Sequence, residues 1–302
     1  MSHTAILLIV ASAIVHAGWN AAGKRIRPSA SFFAVALGIG CVSMSPLLLW
    51  YADSIARIPL ELWPLILLTG AFQAVYYAML AAAYRCGDMS IAYPLTRSST
   101  VLLMAGMSTL LRSSTALSSV YLAGLGCIAG GSLVLPLRSR ADLQLERYFT
   151  KSCLFALFAA AGTTGCMLVD EHVLLQLLAT PREQFSNMDA VLMYAPLQSI
   201  SAVFWLSVWI ACDPLERREP LRILREHKFR VAIVGLGIYA SYGLLLLSRP
   251  HVANLSYSVA LRQMSIPLGA AIGIYLLKEP LYFLKSAGAA AITAGVVLVA
   301  LG

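Results

Sequence analysis

Residues 63–84 read WPLILLTGAFQAVYYAMLAAAY, a stretch of 22 residues without a charged side chain. A helix needs about 20 apolar residues to cross the hydrocarbon core of a bilayer, so this stretch predicts a membrane-spanning helix. Similar apolar stretches, separated by Pro, Gly and charged residues, recur along the chain. Together they predict ten spans, at residues 4–23, 31–51, 63–84, 91–111, 118–136, 151–170, 190–211, 229–247, 255–277 and 284–301. The predicted fold class is therefore all-α integral membrane.

The composition excludes a soluble globular protein. Of the 302 residues, 59% are hydrophobic and 12% are charged, against roughly 25% charged residues in soluble domains. The formal net charge of +8 does not indicate nucleic-acid binding, because the basic residues lie between apolar stretches and form no basic and aromatic stripe. The predicted surroundings are a lipid bilayer, with no nucleic-acid partner.

The basic residues are distributed unevenly between the connectors, which predicts the topology. Connectors after the first, third, fifth, seventh and ninth spans hold 16 Lys and Arg residues, and those on the opposite side hold four. Because positively charged connectors stay in the cytoplasm, the first set is predicted to be cytoplasmic and both termini to lie outside it. The basic region 213–230 is predicted to form a short helix on the membrane surface.

An internal repeat is indicated when the chain is shifted by 165 residues. The shift places matching residues on one another: Arg97 on Arg262, Tyr77 on Tyr242, Gly70 on Gly235 and Gly130 on Gly295. The predicted repeats are residues 1–140 and 141–302, with five spans each. Because five is odd, the second repeat must be inverted relative to the first, as in many transporters.

Two arginines, Arg97 and Arg262, fall inside predicted spans, where a charge costs about 2.5 to 3.5 kcal/mol at the helix centre. All 14 acidic residues lie at span ends or in connectors, including Asp170 at the end of the sixth span, so no span interior is predicted to hold an acid. Two such cations favour a site for a substrate with a carboxylate or phosphate group. The alternative is that each arginine binds backbone carbonyls or reaches the interface. Pro94 and Pro267, close to the arginines, predict interrupted helices around a cavity or ordinary kinks.

The other candidate substrate-binding residues are polar or aromatic side chains in the spans. They are His16, Trp19, Gln73, Tyr77, Tyr93 and Tyr242. His16 is the candidate for a protonation switch, and hence for a coupling proton, because its ordinary pKa lies near neutral pH. Each of these residues has the alternative of simple packing. Ser98 and Thr100 are predicted to contact substrate or to bond back to their own helix.

Enzyme and cofactor motifs are absent from the sequence. It contains no P-loop, zinc helix, nucleophile elbow or Rossmann glycine pattern, and its six cysteines occur singly. We therefore expect no catalytic residues, no cofactor and no metal. Small residues at four-residue spacing, Gly126 with Gly130 and Gly269 with Gly273, predict close helix packing.

Three short motifs in order resemble the EamA family of the drug/metabolite transporter superfamily. They are His16-Ala-Gly-Trp19-Asn20 with Lys24; Tyr84-Arg85-Cys86-Gly87-Asp88 leading to Tyr93-Pro94-Leu95-Thr96-Arg97; and Leu277-Lys278-Glu279-Pro280. The resemblance covers nearly the whole chain. It implies two inverted EamA repeats, a central cavity lined by spans 1, 3, 4, 6, 8 and 9, and export of small organic solutes across the bacterial inner membrane. Similar sequences often carry Glu where Gln263 stands here.

The resulting hypothesis is a secondary transporter, an exporter of acidic or zwitterionic metabolites such as amino acids, phosphonates or carboxylate-rich metallophores. The expected absence of a carboxylate within the spans argues against a proton-coupled exporter of cationic drugs. Two alternatives remain open, a membrane-embedded enzyme and a receptor that binds without transport.

Overall fold

The computed structural model describes residues 3–23, 29–86, 89–111, 118–134, 137, 150–179, 187–248, 251–252, 261–268, 271 and 282–301. Within these residues there are nine long helices and no strand. The long helices are α1 (His3–Gly23), α2 (Ala30–Trp50), α3 (Trp63–Cys86), α4 (Met89–Leu111), α5 (Ser119–Val134), α6 (Lys151–Ala179), α7 (Asn187–Cys212), α8 (Glu219–Ser248) and α9 (Phe283–Leu301). A short helix, Ala52–Ile55, and a 3-10 turn, Leu60–Leu62, connect α2 to α3.

The helices confirm an all-α, multi-pass membrane protein. Among the described residues, α1, α2, α3, α6, α7 and α8 each contain a stretch long and apolar enough to cross a bilayer, and the apolar segments of α5 and α9 are shorter. Large apolar side chains such as Leu7, Val42 and Leu110 are 70 to 77% exposed on the outside of the bundle. An outer surface of this kind requires lipid rather than water around it.

The sixth helix corrects one sequence-based prediction. It was predicted to end at residue 170, but α6 continues for nine more residues to Ala179, because residues 173–178, which are apolar except for Gln176, follow the polar group Asp170-Glu171-His172. Asp170 therefore lies inside α6 and is 3% exposed. The prediction that no span interior holds an acid is wrong.

The eighth helix begins at Glu219, ten residues before its predicted start at 229. His227 has non-helical torsions, φ −134° and ψ 22°, and so divides α8 into residues 219–226 and 228–248. The first segment is the short helix expected in the basic region. The kink separates a strongly charged segment from an apolar one.

The predicted ninth span, 255–277, is described at residues 261–268 and 271, where it is interrupted by a turn at Gln263–Met264. Pro267 has no N–H to donate to the Gln263 carbonyl, which would be its helical partner. Ile266 N donates to that carbonyl instead, at 2.9 Å. The predicted interruption beside Arg262 is therefore present, whereas Pro94 lies within the unbroken helix α4.

Two pairs of helices approach each other through glycines. A Cβ atom on Gly70 of α3 would lie 2.5 Å from the carbonyl carbon of Ser201 in α7, and one on Gly235 of α8 would overlap the carbonyl oxygen of Ala36 in α2. In addition, α3 packs on α6, α8 on α1, α4 on α6, and α5 on α9. These contacts allow the backbones to approach closely where lipid provides no hydrophobic driving force.

The glycines of α5 that pack differ from those predicted. A Cβ on Gly124 would lie 2.8 Å from the carbonyl oxygen of Gly295 in α9, and Gly131 has a similar contact with Gly288. Gly126 and Gly130 face open space, so their predicted packing role is wrong. A four-residue spacing identifies one helix face, but the face that packs here is the one with seven-residue spacing. Gly269 and Gly273 lie outside the described residues.

A buried carboxylate, Glu216, joins three elements at one end of the bundle. Its side chain, 3% exposed, accepts a hydrogen bond from Ser31 N at 3.0 Å and forms an ion pair with Arg85. The Ser31 hydroxyl donates to the Glu216 carbonyl at 2.9 Å. These contacts connect the start of α2, the end of α3 and the loop after α7, and we name them the Glu216 clasp.

The Glu216 clasp predicts an acid-sensitive stability. Burial alone would raise the pKa of the Glu216 carboxyl, but hydrogen bonds from Ser31 and the Arg85 guanidinium outweigh it, so the pKa lies below its ordinary value. The clasp therefore contributes fully above pH 4.5 and is lost as the pH falls through the lowered pKa. We expect Glu216→Gln to cost about 2 kcal/mol at pH 7, seen as a lower apparent melting temperature. Glu219→Gln, which removes an exposed pair with Arg222, should change little; equal losses in both variants would contradict the assignment.

Candidate functional site

A cavity inside the bundle brings together side chains from six segments. Its volume is about 50 Å³, enough for a few water molecules or a small ion. The lining residues are His16 and Trp19 of α1; Gln73, Tyr76 and Tyr77 of α3; Arg97 of α4; Thr163, Cys166 and Met167 of α6; Ile238, Ser241 and Tyr242 of α8; and Arg262. None of these described lining residues is acidic.

The two arginines meet at one histidine in the cavity. Arg97 Nη2 contacts His16 Nε2, and Arg262 Nη2 lies 3.3 Å from His16 Nδ1. All three side chains are buried, with exposures of 3 to 7%. The arginines are 165 positions apart in sequence, and the fold places both guanidinium groups on opposite edges of the same imidazole ring.

Hydrogen-bond chemistry shows which ligand groups this arrangement can bind. A guanidinium group only donates, and a neutral imidazole ring has one accepting nitrogen. If His16 Nε2 accepts from Arg97, then Nδ1 carries a hydrogen and faces Arg262 as a second donor; the other tautomer reverses the two roles. In either case two donors converge beside the ring. Their natural complement is an oxygen acceptor, and a carboxylate or phosphate oxygen fits because it also balances the positive charge.

Aromatic rings form the remaining walls of the cavity. Trp19 packs edge-on against His16 with ring centroids 4.7 Å apart, and its Nε1 donates to Ser241 Oγ at 3.3 Å. The ring centroids of Tyr76 and Tyr77 also lie 4.7 Å apart. The Thr163 hydroxyl is buried at the cavity with no hydrogen-bond partner among the described residues. The cavity thus combines a cationic side, an apolar side and the Thr163 hydroxyl as a further polar group, as small-molecule sites often do.

Asp170 forms a second polar centre directly behind the cavity wall. Its Oδ1 accepts from the hydroxyls of Thr69, at 2.5 Å, and of Tyr194. Its Oδ2 accepts from the hydroxyl of Tyr242 and from the Cys166 thiol at 3.4 Å. The donors come from α3, α6, α7 and α8. Tyr242 and Cys166 also line the cavity, so they connect the two centres.

Seven of the eight residues predicted for the site line this cavity. They are His16, Trp19, Gln73, Tyr77, Arg97, Tyr242 and Arg262. The Tyr93 side chain lies outside the described residues. Ser98 and Thr100 donate to carbonyls of their own helix, those of Leu95 and Thr96, which is the second of the two roles predicted for them.

Sequence patterns did not identify Asp170 with its partners Thr69 and Tyr194, nor Ser241 and Thr163. One available signal was the apolar stretch after His172, which shows that the acid lies within a helix and not at its end. For the hydroxyl residues there was no comparable signal, because Ser and Thr occur throughout the spans.

Comparisons with known proteins show the fold but not the function. No family model matches the chain, and no curated protein matches it. A solved structure, described only as the crystal structure of a protein, has a TM-score of 0.67 and 17% sequence identity to it, covering 99% of this chain and 94% of the other. The arrangement of helices is therefore one that occurs in an experimentally determined structure over the full length of the chain.

Proposed function

We propose that this protein is a secondary transporter of small acidic or zwitterionic metabolites, built from two inverted five-helix repeats around the central cavity. The observation that carries the proposal is the convergence of Arg97 and Arg262 on His16 inside a lipid-exposed bundle. The proposed class is that of EamA-type drug/metabolite transporters, with export from the cytoplasm as the direction. The proposed location is the bacterial inner membrane, with both termini outside the cytoplasm.

The helix contacts support an inverted repeat. If spans one to five correspond to spans six to ten, the contact of α3 with α6 is equivalent to that of α8 with α1, and both contacts are present. The close glycine contacts show the same correspondence. A shift of 165 residues forward relates Gly70 to Gly235, and the same shift backward relates Ser201 to Ala36, so the contact of Gly70 with Ser201 corresponds to that of Gly235 with Ala36. A two-fold axis in the membrane plane produces such reciprocal pairs. The six segments that line the cavity are also those that the resemblance implies.

The cavity supports transport by alternating access. Its volume of about 50 Å³ is small beside the several hundred Å³ of typical metabolite sites, so binding an organic anion requires the walls to move apart. The walls come from both halves, since α1, α3 and α4 face α6 and α8 across the cavity. Rocking of one half against the other would open the site to each side in turn.

A cationic substrate fits the cavity less well. Asp170 supplies the buried carboxylate that was expected to be absent, but it lies behind Tyr242 and Cys166 and does not line the cavity. A cation in the cavity would instead meet two guanidinium groups. An acidic substrate group remains the better complement.

Ligand-induced stabilisation tests the proposal. The melting temperature of the purified full-length protein would be measured with L-glutamate, phosphonoacetate, citrate, L-alanine and tetraphenylphosphonium, since a ligand at 100 times its dissociation constant adds about 2.7 kcal/mol. We expect at least one acid to stabilise the protein by several degrees, and the effect to vanish in the double variant Arg97→Ala, Arg262→Ala. Arg222→Ala, an exposed arginine outside the cavity, is the matched control.

Two results would contradict the proposal. One is stabilisation by tetraphenylphosphonium that survives in the double variant, and the other is stabilisation by none of the acids. Uptake of the stabilising acid into liposomes then separates a transporter from a receptor that only binds. A chemical product would indicate an enzyme.

A further inference from the structure

Asp170 is placed where a proton, bound or released, changes the cavity. The carboxylate is 3% exposed, and its two oxygens receive four donors, Thr69, Tyr194, Tyr242 and Cys166. An ionised carboxylate has about four lone-pair positions, and all four are filled. The hydroxyl oxygens are in direct hydrogen-bond contact with the carboxylate, which leaves no space between them for a metal ion.

Adding one proton must rearrange these contacts. A protonated carboxyl donates one hydrogen and accepts fewer, so at least one of the four donors has to turn away. The groups that face Asp170 are Thr69 from α3, Cys166 from its own helix, Tyr194 from α7 and Tyr242 from α8; Glu171 and His172 are its neighbours in sequence. Of the four donors, Tyr242 and Cys166 border the cavity, and only Tyr242 carries a hydroxyl there.

We propose that Asp170 is the coupling-proton site of this protein, and that Tyr242 transmits its protonation to the substrate cavity. A proton from water in the cavity reaches Oδ2 through Tyr242, whose hydroxyl passes its own hydrogen to Oδ2 and takes up the incoming proton on the cavity side. The carboxyl then donates that hydrogen to the Tyr242 oxygen, and the Tyr242 hydroxyl hydrogen turns toward the substrate position. Loss of the proton reverses both changes. The coupling of this proton to transport rests on the proposed function, but the proton site itself can be tested without any substrate.

Electrostatics links the proton to the two arginines. An ionised Asp170 is an internal counter-charge for Arg97 and Arg262 and so competes with an acidic substrate by weakening the attraction between the two arginines and the substrate anion. Protonation removes this competitor and strengthens binding of the anion. Because linkage is reciprocal, a bound anion promotes proton uptake by Asp170 to the same extent. Proton and anion then occupy the protein together. A protonated His16 would instead be a third positive charge between the arginines, which makes the carboxyl the better proton site.

Infrared difference spectroscopy of the ligand-free protein tests the site. Spectra recorded between about pH 6 and about pH 9, where ordinary carboxyl groups are ionised, should show a carboxylic acid C=O band that shifts in deuterium oxide and disappears as the pH rises. The band should be missing in Asp170→Asn and present in Asp189→Asn, whose carboxylate at the start of α7 binds Tyr51. Should Asp170→Asn fail to fold, Tyr242→Phe keeps the test decisive, because loss of this hydrogen bond moves the band frequency. A band absent from the wild-type protein throughout this range, or retained in Asp170→Asn, overturns the proposal.

A second measurement on the same samples tests the link to the cavity. Positive charge nearby favours the ionised carboxyl, so Arg262→Ala should let Asp170 keep its proton to a higher pH, whereas Arg222→Ala should not. An unchanged titration midpoint in Arg262→Ala overturns the coupling. Failure of the transporter proposal would appear separately, as the absence of stabilisation and uptake by the acids tested above.

Discussion

Replacing Arg262 by alanine is expected to weaken binding of an acidic substrate about 100-fold. A hydrogen bond to a charged group contributes about 1.5 to 3 kcal/mol, and each 1.4 kcal/mol corresponds to a tenfold change in affinity. Arg97→Ala should have a similar effect, since both guanidinium groups flank His16. The measurement is the dissociation constant, by titration calorimetry, of the acid that stabilises the wild-type protein.

The lysine variants separate charge from geometry. Lysine retains the positive charge but cannot offer two parallel donors to one carboxylate, so Arg262→Lys should lose about tenfold rather than about 100-fold. Gel-filtration profiles must first show that each variant is folded. Affinities within twofold of the wild-type value in both alanine variants would place the substrate elsewhere in the bundle.

The second large effect is expected from one added methyl group, in Gly235→Ala. The new Cβ would overlap the Ala36 carbonyl oxygen, a backbone atom that cannot move away like a side chain. Overpacking of this kind typically costs about 1 to 3 kcal/mol, and a backbone neighbour places this site at the upper end. We therefore expect a melting temperature several degrees lower and a smaller yield of monodisperse protein.

The same helix offers the control. A Cβ on Gly243 of α8 meets nothing within 4 Å, and alanine is a better helix former than glycine by up to about 1 kcal/mol. Gly243→Ala should be neutral or stabilising. Gly70→Ala, at the position related to Gly235 by the 165-residue shift, should repeat the loss because of Ser201. If Gly235→Ala and Gly243→Ala behave alike, the close approach of α2 and α8 is not a determinant of stability.

The predictable part of this fold is the part governed by hydropathy. The first five spans agree with the predicted boundaries within about two residues, because the cost of polar groups in lipid makes the ends of apolar stretches distinct. The predicted end of the sixth span is wrong for the same reason. Asp170, Glu171 and His172 resemble the end of a span, and only their partners in the folded protein make burial of Asp170 tolerable.

The site was predictable where a residue type was exceptional for its surroundings. Two arginines in apolar stretches are expensive enough to require an explanation, and both line the cavity. The residues around Asp170 could not be identified in this way. Tyr194 and Thr69 are ordinary in such helices, and their convergence depends on the rotation of α3 and α7 about their axes. That rotation is fixed by contacts such as Gly70 against Ser201, between residues more than a hundred positions apart.

If the protein works by the proposed alternating access, the Glu216 clasp holds one face of the molecule closed more strongly than the other. It joins Ser31 and Arg85 of the first half to Glu216 of the second. At the opposite end, within the part of the chain that the structure describes, the Tyr51 hydroxyl of the first half donates to Asp189 of the second at 2.8 Å. Two halves that rock against each other must break the clasp to open one face and the tyrosine bond to open the other. In the proposed transport cycle the higher barrier then lies at the Glu216 face, and acid strong enough to protonate Glu216, below pH 4.5, would lower that barrier.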